Sequence, residues 1–65
     1  MYQYKTKYHI GDILYNLATE GHLLVEDIKL IDNHKFYCVR GLETDSIGEL
    51  KAGAVDKYAH IVKVA

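Results

Sequence analysis

The sequence predicts an all-β chain: a small, curved antiparallel barrel of about five strands. Three observations carry that expectation. Residues 21–42, GHLLVEDIKLIDNHKFYCVRGL, hold two apolar-rich runs of strand length around the turn-forming cluster Asp32-Asn33-His34. Residues 1–10, MYQYKTKYHI, place Tyr2, Tyr4, Thr6, Tyr8 and Ile10 at even positions, with Gln3, Lys5, Lys7 and His9 between them. That period of two marks an extended segment with one adhesive face. Two further runs, Ile13-Leu14-Tyr15 and HIVKV over His60–Val64, have strand composition but no room for a helix.

Taken in order, the first ten residues read as a strand whose tyrosines either cover the core or form a contact surface. Gly11-Asp12 turns the chain into the short strand Ile13–Tyr15, and residues 16–21 connect it to the central hairpin. In that hairpin, a two-residue loop at Asn33-His34 sets Ile31 against Phe36, Leu30 against Tyr37, Ile28 against Val39 and Asp27 against Arg40. Such cross-strand pairs are worth about 0.2–1 kcal/mol each, which favours this register over a loop at Asp32-Asn33. Glu26-Asp27 interrupts an apolar run, so either a bulge or an exposed bend is expected there. Residues 43–46 form a turn, Ile47–Lys51 a short strand interrupted by Gly48, and residues 52–58 one helical or 3₁₀ turn before the final strand. The expected core is Leu14, Val25, Ile28, Leu30, Tyr37, Val39, Ile61 and Val62, with one of the last two turned outward.

At 65 residues the chain reads as a single domain, 1–65. A chain of this size buries only about 60% of its unfolded surface. Its one cysteine, Cys38, allows no intramolecular disulfide, so a well-packed core or self-association as a homo-oligomer must compensate. The net charge of −1 lacks the basic excess typical of nucleic-acid-binding domains, which makes nucleic acid a less favoured partner. No apolar run reaches membrane-spanning length, no signal-peptide pattern opens the sequence, and a lone thiol suits a reducing compartment. A cytoplasmic protein is the expectation, with no membrane partner.

The phrase KYHIGDILY, Lys7 to Tyr15, resembles the opening of SH3-like barrels, including KOW and CarD-type domains. It has an aromatic and basic lead, Gly-Asp, then a short apolar strand. The likeness extends over residues 7–42, through a Gly-containing loop, a strand at Val25–Ile31, a turn and a strand at Phe36–Leu42. It implies an SH3-like barrel, in which a short 3₁₀ turn before the last strand is common. The chain departs from the CarD-type pattern in having no proline-bounded final segment and no second domain. In overall style it also resembles short phage-encoded accessory proteins. That resemblance implies a protein that binds and inhibits, redirects or sequesters a host component, in the host cytoplasm.

Catalytic signals are missing from the sequence. His9, His22, His34 and His60 form no HxxxH pair, and Cys38 has no CxxC companion, so no metal ligand set is assigned. The five glycines are scattered singly, with no phosphate-cradling loop, and no serine lies in a nucleophile elbow. Cys38 reads as a small buried hydrophobe. The chain is therefore read as a non-enzymatic binding module that needs no cofactor. In the first version Tyr2, Tyr4, Tyr8 and Tyr15, with Arg40, anchor a protein partner or another copy, because tyrosine gives large rigid contact area. In the alternative, an oligomer binds a nucleotide-like ligand or nucleic acid, with aromatic platforms for bases. Lys5, Lys7, Lys57, Lys63 and Arg40 would then meet phosphate.

Overall fold

The computed structural model describes residues 5–65. Its strands are β1 (Ile13–Asn16), β2 (Gly21–Ile31), β3 (His34–Gly41), β4 (Ile47–Lys51) and β5 (Ala59–Lys63), with one helix, α1 (Ala52–Tyr58), before β5. All five strands join one antiparallel sheet in the order β4-β3-β2-β1-β5. The chain is all-β, as its composition of short β-branched and aromatic runs predicts.

The central hairpin forms where expected, but with a different turn. Ile31 pairs with His34, Leu30 with Lys35, Lys29 with Phe36 and Ile28 with Tyr37, so Asp32-Asn33 is the loop. Both loop residues have positive φ, 50° and 64°. A two-residue hairpin turn of this hand requires that conformation twice, and Asp and Asn are the side chains that tolerate it. Turn geometry thus outweighs the cross-strand pairing that favoured Asn33-His34. The register slips once more at Glu26, between the pairs Val25–Val39 and Asp27–Cys38. This is the anticipated bulge, and both carboxylate residues are exposed beside it.

Residues 5–10 do not form the expected strand. A period of two specifies a strand only where a partner strand is available, and this segment instead crosses the sheet to place Tyr8 in the core, 3% exposed. Tyr2 and Tyr4 lie outside the described residues. The core is built from Leu14, Val25, Tyr37 and Val39, joined by Tyr8, Ala52, Val55 and Ala59, with Leu23, Ile28 and Leu50 packed against them. Fully burying a side chain such as Leu14 or Val25 is worth about 1.5–3 kcal/mol. Leu30 is exposed, contrary to expectation, and Ile61 and Val62 are both exposed where only one of the two was expected to face outward. Leu30 lies near the hairpin tip, opposite Lys35, beyond the packed part of the sheet. Ile61 sits on an outer strand, and Val62 falls in an irregularity between the pairs Leu14–Ile61 and Ile13–Lys63. Gly48 does not break β4, which runs without interruption.

Two polar arrangements lock the segment of residues 5–12 onto the sheet. The Tyr37 hydroxyl accepts the Tyr8 backbone N–H at 3.2 Å and donates to Asp56 Oδ1 at 3.0 Å, while the Tyr8 hydroxyl donates to the Ala59 carbonyl at 2.7 Å. The two rings meet tilted, 5.9 Å between centroids. Asp12, also buried, accepts the His9 N–H on Oδ2 and the Ala65 N–H on Oδ1, and exchanges backbone bonds with the Val25 region through Gly11 and itself. Gly11 has φ of 96°, and a Cβ there would lie 2.7 Å from that of Ala65, so the close approach requires glycine.

Candidate functional site

The pairing of β1 with both neighbours places three rings in one cross-strand row. Tyr15 is opposite His22 on β2 and opposite His60 on β5. Successive residues of a strand point to opposite faces. Because Leu14 is fully buried, Tyr15 belongs to the face away from the core. The Tyr15 ring meets His22 edge-on at 5.3 Å and lies nearly parallel to His60, 12° apart at 6.3 Å. Both arrangements suit the charge distribution of aromatic rings.

The turn after β3 adds a carboxylate to this row. Backbone bonds from Gly41 to Ser46, from Asp45 to Gly41, and from Leu42 to the His22 carbonyl fold residues 41–46 back over the start of β2. Asp45 takes a positive φ of 58°, and the absence of a Cβ at Gly41 admits the Thr44 hydroxyl. Glu43 is thereby set to accept the His22 backbone N–H at 2.8 Å on Oε1, while Oε2 meets His22 Nδ1. The backbone donor, then the ring, hold the Glu43 carboxyl below its ordinary range. Beside the row, a hollow of about 430 Å³ opens between residues 19–21 and 41–48, with His22 and Glu43 on its rim and Leu23 and Leu50 beneath. A smaller apolar recess of about 170 Å³ continues it toward Val55 and Tyr58 of α1.

Arg40 stands two positions along the sheet from His22, opposite Leu24 on β2 and Ile47 on β4. Its Nε donates to Glu26 at 2.7 Å and its Nη1 to Asp45 at 2.8 Å, which raises its already high pKa. The guanidinium charge is thus spent within the chain. The lysines proposed for phosphate lie on three parts of the chain: Lys5 and Lys7 before β1, Lys57 in α1 and Lys63 in β5. Lys5 offers its carbonyl to Lys35, Lys7 and Lys57 lie over the rings of Tyr8 and Tyr58, and Lys63 closes β5. Of the tyrosines named from the sequence, Tyr8 is a core residue rather than an exposed anchor, because its ring packs on Tyr37. Tyr15 is half-buried at the centre of the row.

No group of three or more His, Cys, Asp or Glu side chains is positioned to hold a metal ion among the described residues. Cys38 is buried, and burial pushes its thiol pKa up, with Lys29 and Glu49 as its charged neighbours. That setting disfavours the thiolate a nucleophile requires. No described helix is long and apolar enough to cross a membrane.

Sequence reasoning treated His22 and His60 only as metal candidates and missed their alignment with Tyr15. For His22 the signal was present in the spacing. A four-residue turn over Leu17–Glu20, closed by the Glu20 N–H to Asn16 carbonyl bond, necessarily brings residue 15 opposite residue 22. Comparison of the chain with family models, curated proteins and solved structures finds no match.

Proposed function

We propose that the chain is a non-enzymatic protein-binding module, and that the face centred on Tyr15 is its contact surface. The observation that carries this reading is the His60–Tyr15–His22 row, placed on the side of the sheet opposite the core. Rings held by strand pairing give contact area with little further loss of freedom on binding. Exposed Leu42, whose N–H bonds the His22 carbonyl, supplies additional apolar surface beside the row. Glu43 and Glu20 give the adjoining hollow an acidic rim, which suits a partner surface combining apolar and basic side chains. The strand order, with a short helix before the last strand and that strand beside the first, fits the SH3-like architecture. A role in inhibiting or redirecting a host protein is the corresponding biological reading.

The test is site-specific photo-crosslinking in the native host. A photoreactive residue replacing exposed His60 is expected to capture a discrete partner, whereas one at Asp32 on the distant hairpin tip is not. Tyr15→Ser should abolish the capture, with melting followed separately by circular dichroism. Equal capture from positions 60 and 32, or capture unaffected by Tyr15→Ser, would sink the assignment. The nucleotide-binding alternative has less behind it, since Arg40 is already paired with Glu26 and Asp45. Retained mass of nucleotide size in native mass spectrometry would reverse that preference.

A further inference from the structure

The sheet ends on β4 at one side, and β4 pairs only with β3 among the described strands. Ile47, Gly48 and Leu50 also line the larger hollow, and Leu50 and Lys51 the smaller recess, so no described strand adjoins β4 on that side. A strand edge of this kind presents unpaired N–H and C=O groups, a template for another strand. The sequence of β4 is IGELK, with Leu50 flanked by Glu49 and Lys51. Leu50 is opposite the buried Tyr37 and faces inward, whereas Glu49 and Lys51, opposite Cys38 and Phe36, share the outer face.

This pattern is complementary to itself. Two copies of β4 laid antiparallel and centred on Leu50 bring Glu49 of each opposite Lys51 of the other, with leucine against leucine between them. A two-fold axis normal to the sheet keeps outward residues with outward residues, so both charge pairs form on one face. The Lys29 ammonium and the Cys38 thiol both contact Oε2 of Glu49, at 2.8 and 3.9 Å, which leaves Oε1 for a second cation. The other outer strand, β5, has no such self-complementarity, because its charged residues His60 and Lys63 are both basic. We infer that two copies of this chain associate through β4, paired antiparallel about Leu50 into one continuous sheet. Because α1 begins at Ala52, the ladder spans Glu49–Lys51 of each copy, and the contact is isologous, so it closes at a dimer. It leaves the Tyr15 row free and does not depend on the function proposed for that row.

Sedimentation velocity of the full chain, from micromolar to millimolar concentration, tests the pairing. The wild-type mass should rise toward that of two copies. Glu49→Lys and Lys51→Glu each place like charges opposite one another and should weaken association by roughly tenfold or more. Lys51→Glu leaves the Lys29–Glu49 pair in place, and circular dichroism verifies the fold of each variant. Mixing the two single variants in equal amounts should restore dimerisation, because the arrangement then pairs Lys with Glu at both positions. A wild-type chain that stays monomeric throughout overturns the inference. So does a dimer indifferent to both reversals, or one that mixing fails to restore.

Discussion

Replacing Tyr37 with Phe removes one oxygen and tests the polar core directly. The ring stays, so packing against Tyr8 is retained, but the Tyr8 backbone N–H loses its acceptor in a region where water does not reach. Leaving a buried donor unpaired costs about 1–3 kcal/mol. The lost bond to Asp56 adds a smaller amount, since Asp56 is half-buried and water can replace the donor. A total of about 2–3 kcal/mol is a large part of the roughly 3–10 kcal/mol available to a domain of this size. The melting temperature should fall by roughly 10–20 °C, followed by far-ultraviolet circular dichroism with urea titration in parallel. A second signature lies at high pH. Burial, chiefly, raises the Tyr37 pKa above its ordinary value. A raised folded pKa gives stability that is present below the ordinary tyrosine range and lost as pH climbs through the folded value. Tyr37→Phe should lack that part of the alkaline loss. A variant within about 0.5 kcal/mol of wild type, with an unchanged alkaline limb, would refute the reasoning.

Two further expectations follow from local geometry. Gly53 lies exposed within α1, and a Cβ there meets nothing within 4 Å, so Gly53→Ala should stabilise by about 0.5–1 kcal/mol in urea unfolding. A neutral or negative effect would mean that α1 is not helical at that position. The lowered pKa of Glu43 means its contribution is present above the ordinary carboxylate range and lost as pH falls through the folded value. Urea midpoints across the acid range should therefore fall less steeply for Glu43→Gln, and superimposable profiles would remove the His22–Glu43 contact from the account.

The parts of this fold legible in the sequence are those decided by local chemistry. The hairpin strands, the bulge at Glu26 and the short helix each follow from residue types within a few positions. The turn at Asp32-Asn33 was equally local, but side-chain pairing pointed one way and backbone conformation the other, and backbone conformation prevailed. Alternation in residues 5–10 misled because the tertiary position of Tyr8, bonded to Ala59 and Tyr37, is fixed by groups far along the chain. The same holds for the site. Tyr15 was visible as an aromatic on a short strand, but its two histidine neighbours come from strands on either side, and only the paired sheet brings them together. Arg40 shows the converse: a lone arginine suggests an anion partner until its carboxylates are seen.

The bond from Ala65 to Asp12 bears on how the molecule yields to mechanical force. β1 and β5 run antiparallel, with Ile13 opposite Lys63, so the start of one strand adjoins the end of the other. Tension applied at Gly11 and at Ala65 therefore pulls across the ladder, not along it. The bonds open in sequence, beginning with the Asp12 carboxylate and proceeding toward Asn16 and Ala59, and each carries the tension alone when its turn comes. Terminal strands that run parallel would share the tension over the whole ladder in shear. This one peels like a zip fastener, and in a stretching experiment it should give way at low force however well its core resists heat.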